Sequence, residues 1–322
     1  MKDLGILVSI KCAVYNHEQY ISQCLEGFVM QKTNFRFEVI VHDDASTDGS
    51  AVIIREYAEK YSDIIKPIYE TENQYSKRDG SLTRIMNAAC KGKYIAMCEG
   101  DDYWIDPYKL QKQVDFLESH LDFSMCWTDG YEEYNGIRTP FCRYNENCET
   151  SIENLIVKGG DHIPTCSILV RKEILLSVPK GFYCGDYPLQ IWSGYKGKVY
   201  YLNDRTCVYR YMTPGSWTSK ASKENKQEKL NHFKNEKYLL ESFDALGNYR
   251  FKESFEKRKS DILFDLLIAA EAYDMAKPYL KLRKKYGIPV GKVDFCKVYK
   301  LKFILLFVPL YRYIKLMIKK SL

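Results

Sequence analysis

The sequence predicts an α/β protein: a mostly parallel sheet flanked by helices, followed by a helical, basic C-terminal extension. Three observations carry this. Short apolar runs rich in β-forming residues alternate with stretches of helical apolar spacing across the first half of the chain. The acidic clusters fall directly after such runs, where open parallel sheets bind their ligands. The charge is also lopsided. Of a net +6, residues 277–322 hold 13 Lys and Arg against one acid, Asp294, which leaves −6 on the rest.

The elements follow in order. Leu4 to Ile10 reads as the first strand, and Ile21, Cys24, Leu25, Phe28 and Val29 mark one face of the helix after it. Phe37 to Val41 is a second strand, followed by a helix marked by Val52, Ile53, Tyr57 and Tyr61. Ile64 to Tyr69 and Tyr94 to Cys98 are the third and fourth strands. Leu82, Ile85, Met86 and Ala89 mark the helix between them, and Leu110, Val114, Leu117 and Leu121 the helix that follows. Strand–helix alternation of this length implies a sheet covered on both faces. A mixed block runs to about residue 218, and beyond Lys220 the pattern is helical and charged. The expected division is therefore an α/β domain over 1–218 and a helical region over 219–322.

Two acidic clusters carry the chemistry. Asp43 and Asp44 end the second strand, where a carboxylate can accept hydrogen bonds from a base edge or a ribose hydroxyl. Ser46 or Asp48 is placed to cap the helix that follows. The second cluster is Glu99-Gly100-Asp101-Asp102-Tyr103-Trp104. Three carboxylates within four residues repel one another unless a cation offsets them. Oxygen-only ligands suit Mg2+ or Mn2+, which can bridge phosphates. Neither glycine-rich phosphate loop, GxGxxG or GxxxxGK[ST], is present, so dinucleotide dehydrogenases and P-loop kinases are unsupported.

In this order and setting, the motifs resemble the bacterial family-2 glycosyltransferases. Val8-Ser9-Ile10 with Tyr15-Asn16, the run Asp43 to Ser50, and Gly92 to Ala96 leading into Glu99 to Trp104 and Asp106-Pro107 carry the resemblance. It extends over roughly residues 4 to 217. It implies a glycosyltransferase-A fold, with 1–218 as the catalytic domain, its nucleotide-binding half over about 1–130 and its acceptor half over about 131–218, a nucleotide-sugar donor, most often UDP-linked, and Mn2+ or Mg2+ as cofactor. Ala13 and Tyr15 would line the nucleoside pocket. Asp44 would bond the base with Asp43 in support, and Arg84 would lie near base or diphosphate. Asp101 would face ribose or metal, and Asp102 would be the principal metal ligand with Glu99 nearby. The later acidic motif matches Gly185-Asp186, which leaves Asp186 as the general base. Its bland alternative is a helix N-cap. Met212 stands where many relatives carry His, and Arg210 remains a candidate for phosphate. His162 to Thr165 resembles an acceptor-side loop, and Trp104 is a further acceptor-side candidate.

The implied function is inverting transfer of a sugar to a hydroxyl of a saccharide or lipid-linked acceptor in surface polysaccharide synthesis. Two alternatives stand beside it. A nucleotidyltransferase would want a basic, Gly-rich loop where this chain has Tyr15-Asn16-His17-Glu18. A non-catalytic carbohydrate- or membrane-binding protein on the same fold draws support from Gly185 and Met212. Eleven cysteines without a CxxC pair, and a start that runs almost directly into a strand, predict reduced thiols in the cytoplasm and no signal peptide. The apolar run Phe303 to Leu310 is too short to span a bilayer. With its flanking lysines, the segment 297–320 suits an anionic membrane surface at the inner face of the plasma membrane, or a helix packed with a solvated basic side. No nucleic-acid module accompanies the charge, so nucleic acid is not an expected partner.

Overall fold

The computed structural model describes residues 5–299. The chain divides after Ser222 into two compact units. That is four residues beyond the expected boundary, because a short helix, Trp217–Ser222, stays with the first unit.

The first unit opens with β1 (Val8–Val14), α1 (Ile21–Val29), β2 (Phe37–Asp43), α2 (Ser50–Lys60), β3 (Ile65–Tyr69), α3 (Ser81–Ala89) and β4 (Tyr94–Met97). These four strands are parallel, in the order β3-β2-β1-β4. Next come the short β5 (Tyr103–Trp104), α4 (Lys109–Ser119), β6 (Phe123–Tyr134), β7 (Ile137–Pro140), β8 (Cys148–Thr150), α5 (Ile152–Lys158), β9 (Leu169–Arg171), α6 (Lys172–Leu176), α7 (Asp186–Lys196), β10 (Lys198–Arg210) and α8 (Trp217–Ser222). β9 runs antiparallel to both β4 and β6, and β10 runs parallel to β6. The carboxyl ends of β1, β2, β4, β6 and β10 therefore point the same way and define one cleft edge.

Burial explains the element choices. Every residue of β2 is buried, as a central strand covered on both faces requires. One face of β1 (Val8, Ile10, Cys12, Val14) packs with Ile21, Cys24 and Phe28 of α1. The expected stripe on α2 is only partly right. Ile53, Tyr57 and Tyr61 pack on the core, but Ile54 is the fully buried apolar residue and Val52 is exposed, so the buried face is rotated from the one the spacing suggested. Leu121 lies beyond the end of α4 and is likewise exposed. The first strand has the expected length of seven residues but starts and ends four residues later, and Leu4 lies outside the described residues.

A buried polar clamp fixes the entry to β4. Ser9 Oγ donates to Glu38 Oε1 at 2.7 Å, and the Gly92 amide donates to Ser9 Oγ at 2.8 Å. A Cβ at Gly92 would stand 2.4 Å from the Ser9 nitrogen, a backbone atom that cannot step aside.

The second unit is helical: α9 (Lys226–Leu246), α10 (Lys252–Arg258), α11 (Phe264–Ala269), α12 (Tyr273–Lys285) and α13 (Lys292–Val298). Asn225 and Glu228 form a reciprocal capping box at the start of α9. The chain between α10 and α11 widens into a π turn, Lys259–Leu263. Buried Arg283 answers the disturbed backbone there, donating to the carbonyls of Ser260 at 2.9 Å and Asp261 at 3.1 Å. No helix among the described residues is long and apolar enough to cross a membrane. Apart from its first residues, the basic segment 297–320 lies outside the described residues.

Gly92→Ala is expected to destabilise the first unit by about 2 kcal/mol or more, through a clash against backbone. Urea denaturation checks this, and an unchanged midpoint would contradict the close approach.

Candidate active site

The carboxyl end of β1 organises the cleft. Val14 O accepts from the Asp44 amide at 2.9 Å, and Ala13 O accepts from the Gly100 amide at 2.9 Å. Both acidic turns thus hang on adjacent residues of one strand. Gly100 must be glycine, since a Cβ would meet His17 Nδ1 at 2.8 Å and Val14 Cγ2 at 2.9 Å.

The turn after β1 and the turn after β2 are zipped together. The Asn16 amide donates to Ser46 Oγ at 2.9 Å, the Thr47 amide to Asn16 Oδ1 at 2.8 Å, and the His17 amide to Ser50 Oγ at 2.8 Å. Asp48 accepts from the amides of Glu18 and Ser50, both at 3.0 Å. Asn16 and Ala45 take left-handed backbone conformations, φ 57° and 63°, to make the turns tight enough. The Ser and Asp residues read as helix caps therefore serve a wider purpose. They hold Tyr15 at the mouth, where it is exposed.

Asp43 and Asp44 are both buried. Asp44 accepts the backbone amides of Gln74 at 2.6 Å and Tyr75 at 3.0 Å, one on each oxygen. It folds the segment after β3 over the cleft and keeps only its remaining lone pairs for a ligand. Asp43 Oδ1 is buried with no hydrogen-bond partner. Arg84 is exposed, its guanidinium folded back onto the start of α3 through Asp79 O and Ser81 Oγ.

In the second turn the three acids differ. Glu99 is exposed to the cleft. The protein around its carboxyl, then the charges of Asp101 and Asp186, raise its pKa above the ordinary carboxylate range. Asp101 is buried and accepts from Thr213 Oγ1 on Oδ2 at 2.7 Å. Asp102 is turned inward, and Oδ1 accepts the Arg210 amide at 2.9 Å. Burial and the neighbouring Asp101 hold its pKa well up. Of the three, Asp102 is turned into the fold and Glu99 is the exposed one.

Arg210 is also committed. Its guanidinium lies 4.3 Å from the Tyr103 ring centre and 5.0 Å from that of Tyr20, and bonds to Asp101 O and Gln23 Oε1. It reaches the turn's carbonyl and leaves the carboxylates uncompensated. The phosphate role expected for it does not fit this placement.

Asp186 is the first residue of α7, and Gly185, not Asp186, holds the N-cap position. α7 is placed by Tyr187 Oη donating to Ile156 O at 2.7 Å and by Gln190 donating to Gly160 O at 3.1 Å. After burial and nearer charges, the Asp186 carboxylate adds to the upward pKa shifts of Glu99 and Tyr75.

Trp104 is corrected outright. It is 2% exposed, donates its indole N–H to Cys166 O at 2.8 Å, packs edge-on against Phe28 and lies beneath the Lys109 ammonium. It is core and cannot touch an acceptor. His162 is buried, 3.2 Å from Tyr144 Oη and against Trp127, so it builds an aromatic wall with them. Thr165, on the next turn, is half-buried.

The oxygen-only donor set and its uncompensated charge fit a hard divalent cation. Among the described residues no three His, Cys, Asp or Glu side chains already form a cage. One or two carboxylates completed by substrate phosphates is the arrangement Mg2+ ordinarily takes.

The profile of Glycosyl transferase family 2 matches residues 9–177. The chain belongs to that family. Both acidic turns lie inside the matched stretch, while Asp186 and Arg210 lie beyond it. An uncharacterised Mycobacterium tuberculosis protein is 33% identical over 220 residues, 66% of this chain and 61% of its own length. The chain thus spans less than two thirds of such relatives. The Escherichia coli glucosyltransferase WfaP, which acts from UDP-Glc on α-D-GlcNAc-diphosphoundecaprenol, is 33% identical over 117 residues, 36% of this chain and 43% of WfaP. Among solved structures, Staphylococcus aureus TarS in complex with UDP-GlcNAc has TM-score 0.57 at 17% identity, covering 87% of this chain and 88% of that one. The Pyrobaculum calidifontis mannosyltransferase in complex with GDP-Man and Mn2+ has TM-score 0.54 at 16% identity, covering 92% and 86%. The glycosyltransferase-A fold expected from the sequence is the fold observed. Membership of glycosyl transferase family 2 displaces the nucleotidyltransferase alternative.

Burial, then Arg143 and Lys158, push the His162 pKa down to about 4. The folded state holds it neutral, while the unfolded chain takes up a proton below its ordinary 6.5. Stability is therefore full above that value and falls as pH drops from about 6.5 toward 4, by up to about 2 kcal/mol at pH 5. Denaturation at pH 7 and pH 5 is expected to show this loss, and His162→Gln to reduce it.

Proposed function

We propose that this family-2 enzyme moves a sugar from a nucleotide-sugar, UDP-linked by resemblance, to a hydroxyl of a saccharide or lipid-linked acceptor, with inversion. One observation carries the reading. Both acidic turns hang on the end of β1, the Asp44 amide on Val14 O and the Gly100 amide on Ala13 O, so a buried carboxylate pair and an acidic triplet open at one end of the sheet. The complexes of the two structural neighbours with UDP-GlcNAc and with GDP-Man and Mn2+ support a nucleotide-sugar donor and a divalent ion. The acceptor named for WfaP supports a lipid-linked substrate and a place in polysaccharide synthesis.

In this reading Ala13 and Tyr15 line the nucleoside pocket. Asp44 and Asp43 meet the base, Asp43 through its unpartnered Oδ1 and Asp44 through the lone pairs left by Gln74 and Tyr75. Arg84, once released from Asp79 and Ser81, approaches the diphosphate. Glu99 and Asp101 would hold Mn2+ or Mg2+, which supplies charge stabilisation for the departing diphosphate. Asp186 takes the proton from the acceptor hydroxyl as general base. The freed oxygen attacks the anomeric carbon from the side opposite the nucleotide. The bond to the diphosphate oxygen breaks, and its electron pair leaves with the nucleotide. Thr165 and the wall built by His162 border the acceptor. The basic segment 297–320 places the enzyme on the anionic inner face of the plasma membrane, where a lipid-linked acceptor would be met.

Asp186→Asn should abolish transfer, by about 100-fold or more, while leaving nucleotide binding within a few-fold. Transfer assays beside calorimetric titration with UDP test it, and a variant that transfers normally would sink the assignment. The two inner acids should also separate. Asp101→Asn is expected to weaken Mn2+-dependent UDP binding at least about tenfold, whereas Asp102→Asn, which can still accept the Arg210 amide, should change it little. The reverse result would restore Asp102 as the metal ligand.

A further inference from the structure

The segment leaving β10 closes on the acidic turn at three successive points. The Arg210 amide donates to Asp102 Oδ1 at 2.9 Å. The Arg210 guanidinium bonds to the Asp101 carbonyl. Three residues on, Thr213 Oγ1 donates to Asp101 Oδ2 at 2.7 Å. Between them Met212 adopts a left-handed backbone, φ 63°, which a non-glycine residue takes only when its surroundings enforce it. That bend turns the chain back so that Thr213, itself buried, meets the carboxylate.

We infer that Thr213 is a positioning residue for the metal-facing carboxylate, its hydroxyl holding Asp101 Oδ2 so that Oδ1 is presented to the cation. The inference rests on the proposed use of Asp101 toward Mn2+ or Mg2+. The chemistry is direct. A carboxylate free to rotate must be ordered when the ion binds, whereas one already held by a hydroxyl donor is ordered beforehand. The donor bond consumes one lone pair of Oδ2 and leaves Oδ1 free of competition. A hydroxyl donor suits this task better than Lys or Arg, because it orients the carboxylate without neutralising the charge that attracts the ion. Partners of this outer kind typically change metal affinity by about 10–100-fold when removed.

The test is Mn2+ binding by the full chain, read as loss of the free-ion EPR signal, with Mn2+ alone and with added UDP or GDP, beside the thermal midpoint. T213V removes the hydroxyl and keeps the shape, and T213S keeps the hydroxyl. T213V is expected to weaken Mn2+ binding about tenfold with a midpoint near that of the wild type, while T213S binds within about twofold of it. If T213V does not fold, T213A against T213S makes the same comparison. Equal Mn2+ affinity in wild type and the hydroxyl-free variant overturns the inference and leaves the metal reading intact. Equal weakening in T213S and T213V shows that packing, not the hydroxyl, matters, and overturns it too. A wild type that binds no Mn2+ with either nucleotide instead removes the metal reading itself, and the inference with it.

Discussion

The buried guanidinium of Arg210 is the interaction on which the cleft depends. It stands between the rings of Tyr20 and Tyr103, bonds to Gln23 on α1, and reaches the carbonyl of Asp101. Glu133 Oε1 on β6 is 3.5 Å from its Nε. One side chain thus ties α1, β5, β6 and β10 to the second acidic turn. Burying a cation is costly unless it is paired and hydrogen-bonded, and here each direction is answered by a ring, a carbonyl, an amide oxygen or a carboxylate. The benefit falls on Asp101 and Asp102, which stay in place although their mutual repulsion would spread the turn.

The two acidic turns are built on different principles. In the first, side-chain oxygens accept backbone amides: Asn16, Ser46, Asp48 and Ser50 hold the two turns together, and Asp44 carries the amides of Gln74 and Tyr75. The second concentrates unneutralised carboxylates, with Glu99 exposed and Asp101 held by one hydroxyl. That surface is electrostatically incomplete and suits a cation accompanied by phosphates. Their proximity comes from β1, whose last residues bond both turns.

Trp127, Tyr144 and His162 form an aromatic wall whose polar atoms are mostly satisfied internally. Asp186 stands apart at the start of α7, next to a glycine in the capping position. Burial, then the charges of Asp101 and Asp186, raise the Glu99 pKa.

The sequence by itself determined the alternation of strands and helices, the placing of both acidic clusters at strand ends, and the family. These are written in local patterns: runs of β-branched and apolar residues, helical spacing, and contiguous motifs. It did not reveal which acid faces outward. Glu99, Asp101 and Asp102 are adjacent in the chain, and nothing local distinguishes one that meets solvent from one that meets the Arg210 amide 108 positions away. Trp104 misled for the same reason, since an aromatic beside an acidic turn reads alike whether it lines a cleft or packs on Phe28. Gln23, Tyr20 and Thr213 left no signal, because their roles arise only when α1 and the end of β10 meet at the turn. Chain-local chemistry fixed what the cleft contains. Contacts between segments far apart in sequence decided which groups are spent on holding it together and which remain for a ligand.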